Sequence, residues 1–260
     1  MNATKTGEMP LLDHLEELRW RLIKAFGSIL FFAIFGFIFS NQLIEILSLP
    51  IEKTEPRLEL LNTTILGVFI AKMKVAVMVG VVFSLPVIVY QIWKFVAPGL
   101  LENERVFIPV LVLTTIFSFV VGATFSYFVM IPWSLKFFAI LNHGLPDLVN
   151  YVTIADYLSY ITILLTFTGI AFELPIVIFI LAKLGIVTPP ILRKIRRFAY
   201  LLILMLAAIF TPADPFTMLG VAAPMMLLYE VSVFVAYFVK KKKDEASEDE
   251  AETRLEDIIE

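Results

Sequence analysis

The chain has 260 residues, of which 59% are hydrophobic and 17% are charged, and its net charge is −3. A soluble domain has about a quarter of its residues charged, so the composition excludes an ordinary water-soluble globular protein. The apolar residues form long runs that do not alternate with polar ones, which indicates membrane-spanning helices and excludes a membrane β-barrel. Because the chain has no cysteine, loops that face an oxidising compartment must hold their shape without disulfides.

Six segments with almost no charge follow one another along the chain. They cover residues 25–44, 75–93, 106–135, 157–182, 198–213 and 215–239, and only Glu173 and Glu230 interrupt them. A helix needs about 20 residues to cross about 30 Å of hydrocarbon. The sequence therefore predicts an all-α membrane protein with six transmembrane helices, of which the fifth, at 16 residues, is too short to span the bilayer.

Proline and charge positions predict the shape and the orientation of this bundle. Pro86 and Pro175 lie inside the second and fourth helices and predict a bend in each, which gives a concave bundle. Of the 21 Lys and Arg residues, 16 lie on the side that holds both termini, and the positive-inside rule makes that side the cytoplasm. The long loops 45–66 and 136–156 then form a periplasmic cap.

The same pattern divides the chain into three parts. Residues 1–24 are a cytoplasmic segment with an interfacial amphipathic helix, which carries an apolar stripe opposite its charges. Residues 25–239 form the six-helix transmembrane domain. Residues 240–260 are first basic and then acidic, with nine acids in the last 17 residues, and are predicted to be a disordered cytoplasmic tail.

Two carboxylates lie deep in the predicted membrane. Glu173 and Glu230 each precede a cytoplasmic lysine, Lys183 and Lys240, by ten residues, which is about 15 Å along a straight helix. A charge at the bilayer centre costs about 2.5–3.5 kcal/mol on insertion scales, so both side chains are expected to face a cavity or a polar partner. They form the predicted intramembrane polar site. The alternative is a protonated carboxyl that bonds to a neighbouring helix.

Other functional classes fit less well. A secondary transporter or ion-coupled channel would use Glu173, but such proteins bring polar residues of several helices to the midplane. An enzyme needs a nucleophile with its base or a metal set, whereas the only histidines, His14 and His143, fall on opposite sides. The chain has no Gly-rich phosphate loop for ATP. We therefore expect no enzyme, cofactor, metal or nucleic-acid partner, and the transporter remains the alternative.

Five short motifs occur in order along the chain. They are His14-Leu15-x-Glu17-Leu18-Arg19-x-Arg21, Phe95-x-x-Pro98-x-Leu100-x-x-x-Glu104-Arg105, Phe125-x-Tyr127-Phe128-x-x-x-Pro132, Phe172-Glu173-x-Pro175 and Thr211-Pro212-x-Asp214. Each is modest alone, but together, and on the expected sides of six helices, they are specific. From about Pro10 to Lys240 the chain resembles the C subunit of the twin-arginine translocase, the TatC family.

The resemblance implies a signal-peptide receptor and core translocase subunit in the bacterial or archaeal cytoplasmic (inner) membrane. Its partners would be the twin-arginine signal peptides of folded passenger proteins, single-span subunits of the TatA and TatB types, further copies of itself and the lipid bilayer. The proton-motive force would drive export. Signal-peptide binding is assigned to Glu17, Arg19, Phe95, Pro98, Glu104 and Arg105. Carboxylates suit this task, because they bind the planar guanidinium fork of arginine bidentately.

The carboxylates of Glu17 and Glu104 could each instead form a local ion pair. Glu17 can pair with Arg21 one helical turn later. Glu104 can pair with Arg105 or Lys94 at the surface, which would contribute about 0.2–1 kcal/mol.

The turn after the fifth helix is the predicted periplasmic turn, with Thr211, Pro212 and Asp214. Many relatives have a second proline where this chain has Ala213, and glutamine where it has Met218. The turn is therefore less polar here, and a partner contact assigned to it remains open.

Overall fold

The computed structural model describes residues 11–55, 58–96, 108–142, 151–211 and 215–259. In chain order the elements are α1 (Leu11–Ile38), α2 (Ser40–Glu52), β1 (Glu59–Leu61), α3 (Gly67–Val96), α4 (Ile108–Phe125), a π-helical turn (Ser126–Met130), α5 (Ile131–Asn142), β2 (Tyr151–Thr153), α6 (Ile154–Ala171), α7 (Leu174–Lys183), α8 (Pro189–Phe210) and α9 (Pro215–Ile259). The protein is mostly helical, as the long apolar runs predicted.

Five helical segments among these residues are long and apolar enough to cross a membrane. They are Leu15–Ile38, Gly67–Phe95, Pro109–Leu141, Ile154–Lys183 and Thr217–Lys240. Helix α8 is not among them, because four basic residues between Arg193 and Arg197 occupy its first turns and it ends at Phe210. Its apolar part is thus shorter than the sequence window indicated, and the sixth crossing stays a prediction.

Helices α1 and α3 pack closely through two glycines. A Cβ on Gly36 would lie 2.8 Å from that of Val79, and one on Gly80 would lie 2.6 Å from the carbonyl oxygen of Ile29. Later residues of α1 therefore meet earlier residues of α3, so the two helices run antiparallel. The N-terminal part of α1 and the C-terminal end of α3 consequently lie at the same end of the bundle.

The two proline positions differ in effect. Helix α3 continues through Pro86, and it packs against both α1 and α6, which hold it in place. The fourth predicted crossing is interrupted, because α6 ends at Ala171 and α7 begins at Leu174 with Pro175 in its first turn. Proline is tolerated at that position since its missing N–H has no helical partner there.

A short parallel pairing joins the two loops that were predicted to lie outside. Glu59, Leu60 and Leu61 of β1 pair with Tyr151, Val152 and Thr153 of β2. Both loops also carry helix: α2 reaches Glu52 and α5 reaches Asn142. The strand pairing places the two loops at the same end of the bundle, which agrees with the predicted cap.

The two ends of the chain compare differently with the sequence-based prediction. Residues 11–38 form one continuous helix, in which the predicted interfacial segment leads directly into the first crossing. At the other end α9 remains helical to Ile259, where the acidic composition predicted disorder. Alanine, glutamate and lysine are strong helix formers, and the lysines at 240 and 241 precede the acids at 244 and 245 at the i,i+4 spacing. These local preferences favour a helix without requiring a core.

Candidate functional site

At its N-terminal end, α1 presents a paired carboxylate. The Nε and Nη2 atoms of Arg21 both donate to Oε1 of Glu17, the first at 3.1 Å. The Glu17 side chain is 24% exposed and that of Arg21 11%, whereas Arg19 is exposed. The local ion pair considered from the sequence is therefore present. Glu17 therefore already binds a guanidinium group, that of Arg21.

The end of α3 lies at the same end of the bundle as Glu17. Phe95, in its last turn, is partly buried, and the neighbouring Trp93 is 4% exposed in a small cluster with Val89. Lys94 extends over the ring of Tyr90 at 6.0 Å. The structure thus places Glu17, Arg19 and Phe95 at the same end of the bundle, while the predicted site residues Pro98, Glu104 and Arg105 lie outside the described residues.

The second group of predicted residues surrounds the break between α6 and α7. Because Pro175 has no N–H, the chain turns at Phe172 and Glu173, and the N–H of Ile176 bonds to the Glu173 carbonyl at 3.0 Å. The Phe172 carbonyl instead accepts a hydrogen bond of 2.7 Å from the hydroxyl of Ser118 on α4. The Ile176 N–H bonds to Glu173 and leaves the Phe172 carbonyl free, so the break is fastened to α4 through this carbonyl.

Close packing of α4 against α6 shapes this region. A Cβ on Gly122 would lie 2.8 Å from the ring of Phe172, and one on Gly169 would overlap the ring of Phe119. The rings of Phe125 and Phe172 lie 5.8 Å apart. Only glycine at these two positions allows the aromatic rings to fill the space beside the break.

Glu173 lies at this break beside polar groups of α4. Its carboxyl group neighbours the Thr115 hydroxyl and the main chain of Phe119. Its Oε1 atom is buried and has no hydrogen-bond partner within the described parts of the chain. A carboxyl oxygen in that position can accept a hydrogen bond from a partner helix or hold a proton.

Glu230 occupies a separate place between α8 and α9. Its Oε2 atom accepts a hydrogen bond of 2.6 Å from Nη2 of Arg196, and its Oε1 atom accepts one from the hydroxyl of Tyr200. The side chains of Arg196 and Glu230 are 44% and 38% exposed. Glu230 is therefore the acceptor of an interhelical ion pair, and the structure gives it different partners from those of Glu173.

The predicted periplasmic turn is only partly described. Thr211 is 7% exposed, and its hydroxyl donates to the Ala207 carbonyl at 2.8 Å, which ends α8 with a local hydrogen bond. Pro212 and Asp214 lie outside the described residues. The next helix begins at Pro215, so the turn between α8 and α9 is short.

Sequence reasoning missed the partners of both carboxylates. Thr115 and Ser118 stand in an apolar window where isolated hydroxyls could have marked the side that faces a polar neighbour. Arg196 was assigned to a cytoplasmic loop, but α8 begins at Pro189 and carries this arginine into the packed helix. The signal available was the Pro189-Pro190 pair, which favours a helix start.

These features define a helical membrane protein that crosses the bilayer several times, with a carboxylate at one end of its first helix and another at a helix break. Residues 13–224 match the family model of the Sec-independent protein translocase protein (TatC). The chain is 38% identical over 240 residues to the TatC protein of Aquifex aeolicus (strain VF5), covering 91% of this chain and 98% of the relative.

Two further similarities agree with this match. The chain is 34% identical over 248 residues to the TatCy protein of Bacillus subtilis (strain 168), covering 95% of this chain and 96% of the relative. A crystal structure of the twin-arginine translocase receptor TatC matches with a TM-score of 0.80 at 35% identity, over 87% of this chain and 99% of that chain. The chain therefore belongs to the TatC family of protein translocase subunits, which are non-enzymatic transport components.

Proposed function

We propose that this subunit recognises paired-arginine signal peptides at the face formed by the start of α1 and the end of α3. The observation that carries the proposal is the Glu17 carboxylate, which already holds the guanidinium group of Arg21. Its second contact would be Glu104, in the segment that follows Phe95. Two carboxylates can engage two consecutive arginines, and lysine cannot reproduce the bidentate contact.

The remaining predicted residues support these contacts. Phe95 and Pro98 would shape the segment that presents Glu104, and Arg19 and Arg105 would limit which charged residues of the passenger approach. Charge-assisted hydrogen bonds contribute about 1.5–3 kcal/mol each. Losing either carboxylate should therefore weaken binding by a measurable factor.

The proposed topology has six crossings, with α8 as the short fifth and both termini in the cytoplasm of a bacterial or archaeal cell. The charge asymmetry supports it, and so does the pairing of β1 with β2 at one end of the bundle. In this arrangement single-span partners of the TatA and TatB types and further copies of the chain would assemble around it. The folded passenger would then cross the inner membrane at the expense of the proton-motive force.

Glu173 would serve as the intramembrane polar site of this machine. Its support is the buried Oε1 atom beside Thr115 at the break between α6 and α7. Burial of an unpaired carboxyl oxygen is unfavourable, so a polar group of a partner helix would find an acceptor here.

Site-specific photo-crosslinking tests the receptor function. A photoreactive residue at position 104 or 17 should crosslink to a signal peptide with paired arginines, and to a peptide with paired lysines much less. The same residue at position 45, an exposed site on α2, is the matched control and should give no crosslink. Equal crosslinking from all three positions would contradict the proposed face.

A further inference from the structure

A cavity of about 640 Å³ opens between α2, the π-helical turn and α5, away from the residues assigned to the signal peptide. The hydroxyl of Tyr127 in the π turn donates to the Ile46 carbonyl of α2 at 2.7 Å. This hydrogen bond ties the two walls together. Pro132 has no N–H for the Phe128 carbonyl, which accounts for an irregular helical turn at this position. The cavity is therefore a built feature of the fold.

Both walls change from apolar to cationic along the chain. On α2, Ile46 precedes Lys53 by seven residues, and on the other wall Phe128 precedes Lys136 by eight. These separations correspond to about 10–12 Å along a helix. Ile46 is 52% exposed and Phe128 69% exposed, so both can contact lipid. The lining thus combines exposed apolar residues with two lysines, each of which lies nearer than the apolar residues to β1 or β2 along the chain.

Among the residues that line the cavity, basic side chains outnumber acidic ones. Within the described residues neither Lys53 nor Lys136 belongs to an ion pair. Glu55 lies on the same cavity wall, so the two ammonium groups and one carboxylate leave one positive charge uncompensated. Snorkelling explains why a single lysine lies near a membrane boundary, but it does not require two of them on opposite walls of one cavity.

We infer that this cavity binds one anionic glycerophospholipid from the leaflet at the β1–β2 end, which is the outer leaflet in the proposed topology. The lipid phosphate would lie between Lys53 and Lys136, and its upper acyl chain would lie against Ile46 and Phe128. A monoanionic phosphodiester neutralises the uncompensated charge, which a zwitterionic lipid does not. Basic pockets between transmembrane helices bind anionic headgroups by the same chemistry.

Lipid titration of the purified full chain, followed by native mass spectrometry, tests this inference. Dioleoyl phosphatidylglycerol should bind more tightly than dioleoyl phosphatidylethanolamine. In the variant K53Q/K136Q the affinity for phosphatidylglycerol should fall by about tenfold or more, because two charge-assisted contacts are lost. The variant K72Q/K194Q loses the same charge outside the cavity and should bind as the wild type does. Equal losses in both double variants would overturn the site.

Two single substitutions separate the lipid from other occupants. Glu55→Gln should strengthen phosphatidylglycerol binding, because it removes the opposing charge. If the wild type binds phosphatidylethanolamine more tightly than phosphatidylglycerol and Glu55→Gln removes that preference, the anionic assignment is wrong. Phe128→Ser should weaken lipid binding while leaving any binding of soluble glycerol phosphate unchanged. If glycerol phosphate displaces the lipid at equal concentration, the cavity binds free phosphate and the lipid assignment is wrong.

Stability controls keep the test decisive. Each variant is compared with the wild type by its circular dichroism spectrum and by its unfolding temperature without added lipid. If K53Q/K136Q fails to fold, the single variants K53Q and K136Q replace it, and each should show an intermediate loss of phosphatidylglycerol affinity. Unchanged affinity in both folded single variants would contradict the inference.

Discussion

The hydroxyl of Ser118 on α4 donates a hydrogen bond of 2.7 Å to the main-chain carbonyl of Phe172, at the point where Pro175 interrupts the fourth crossing. The proline leaves main-chain carbonyl groups without their helical donors. A neighbouring helix supplies one donor, so the break and the position of Glu173 depend on α4. Lipid cannot replace this contact, because it has no donor to offer in the hydrocarbon region.

Ser118→Ala should lower the free energy of unfolding by about 1–3 kcal/mol, since the Phe172 carbonyl loses its donor in a dry environment. Unfolding of the purified protein in mixed detergent micelles measures the change. Thr114→Ala is the matched control on the same helix, because its hydroxyl bonds only to the Val110 carbonyl one turn earlier. Equal destabilisation by the two substitutions would mean that the contact with Phe172 has no special weight.

Glu173→Ala should impair export sharply while the amount of inserted protein stays unchanged, because the buried carboxyl is proposed to receive a polar partner. Export of a folded reporter with a paired-arginine signal measures the first quantity, and membrane fractionation the second. Glu45→Ala, at an exposed position on α2, serves as the control. Full export by the Glu173 variant would reduce this residue to a structural role.

The ion pair between Arg196 and Glu230 should make only a small contribution to stability. Both side chains are more than a third exposed, so we expect a coupling energy of about 0.2–1 kcal/mol. A double-mutant cycle with Arg196→Gln and Glu230→Gln isolates this energy. Tyr200→Phe should weaken the same interhelical contact, because it removes the second donor to Glu230. A coupling energy of several kcal/mol would indicate that the pair is shielded from solvent in the assembled complex.

Glu104→Gln should weaken binding of the signal peptide by about tenfold, since one charge-assisted contact is lost. The loss should shrink when the arginines of the signal are already replaced by lysines, because both changes disturb one contact. Binding measured for all four combinations gives the coupling. Strictly additive losses would show that Glu104 and the arginine pair do not meet.

A topology reporter tests the orientation. Alkaline phosphatase is active only outside the cytoplasm, so its fusion after Lys243 should be inactive, and its fusion within residues 143–150 should be active. The expectation rests on the placement of 16 of the 21 basic residues on the side of the termini. The reverse pattern of activity would invert the proposed membrane orientation.

The fold class and the family could be predicted from the sequence alone. Long apolar windows predicted a helical membrane protein, and the ordered motifs predicted the TatC family, because hydrocarbon admits few backbone structures and imposes a strong composition. Pro86 and Pro175 predicted a bend in each helix, since proline acts through local backbone chemistry. The structure instead has a full break between α6 and α7 beside Pro175, whereas α3 runs continuously through Pro86.

Contacts between distant segments required the tertiary structure. The sequence placed Glu173 and Glu230 in one polar site because they lie at similar distances from cytoplasmic lysines. The folded chain gives Glu173 the neighbours Thr115 and Phe119 and gives Glu230 the neighbours Arg196 and Tyr200. The rotation of each helix about its axis sets these partners, and in a nearly uniform apolar window the periodicity that would reveal that rotation is weak.

The first and last segments show the same difference between what composition predicts and what tertiary contacts decide. Composition identified the α1 segment as amphipathic and the tail as highly charged, and both properties follow from residue type alone. The close packing of α1 against α3 at Gly36 and Gly80, and the pairing of β1 with β2, are set by tertiary contacts. Such contacts join residues far apart in the chain, so local sequence preferences do not determine them.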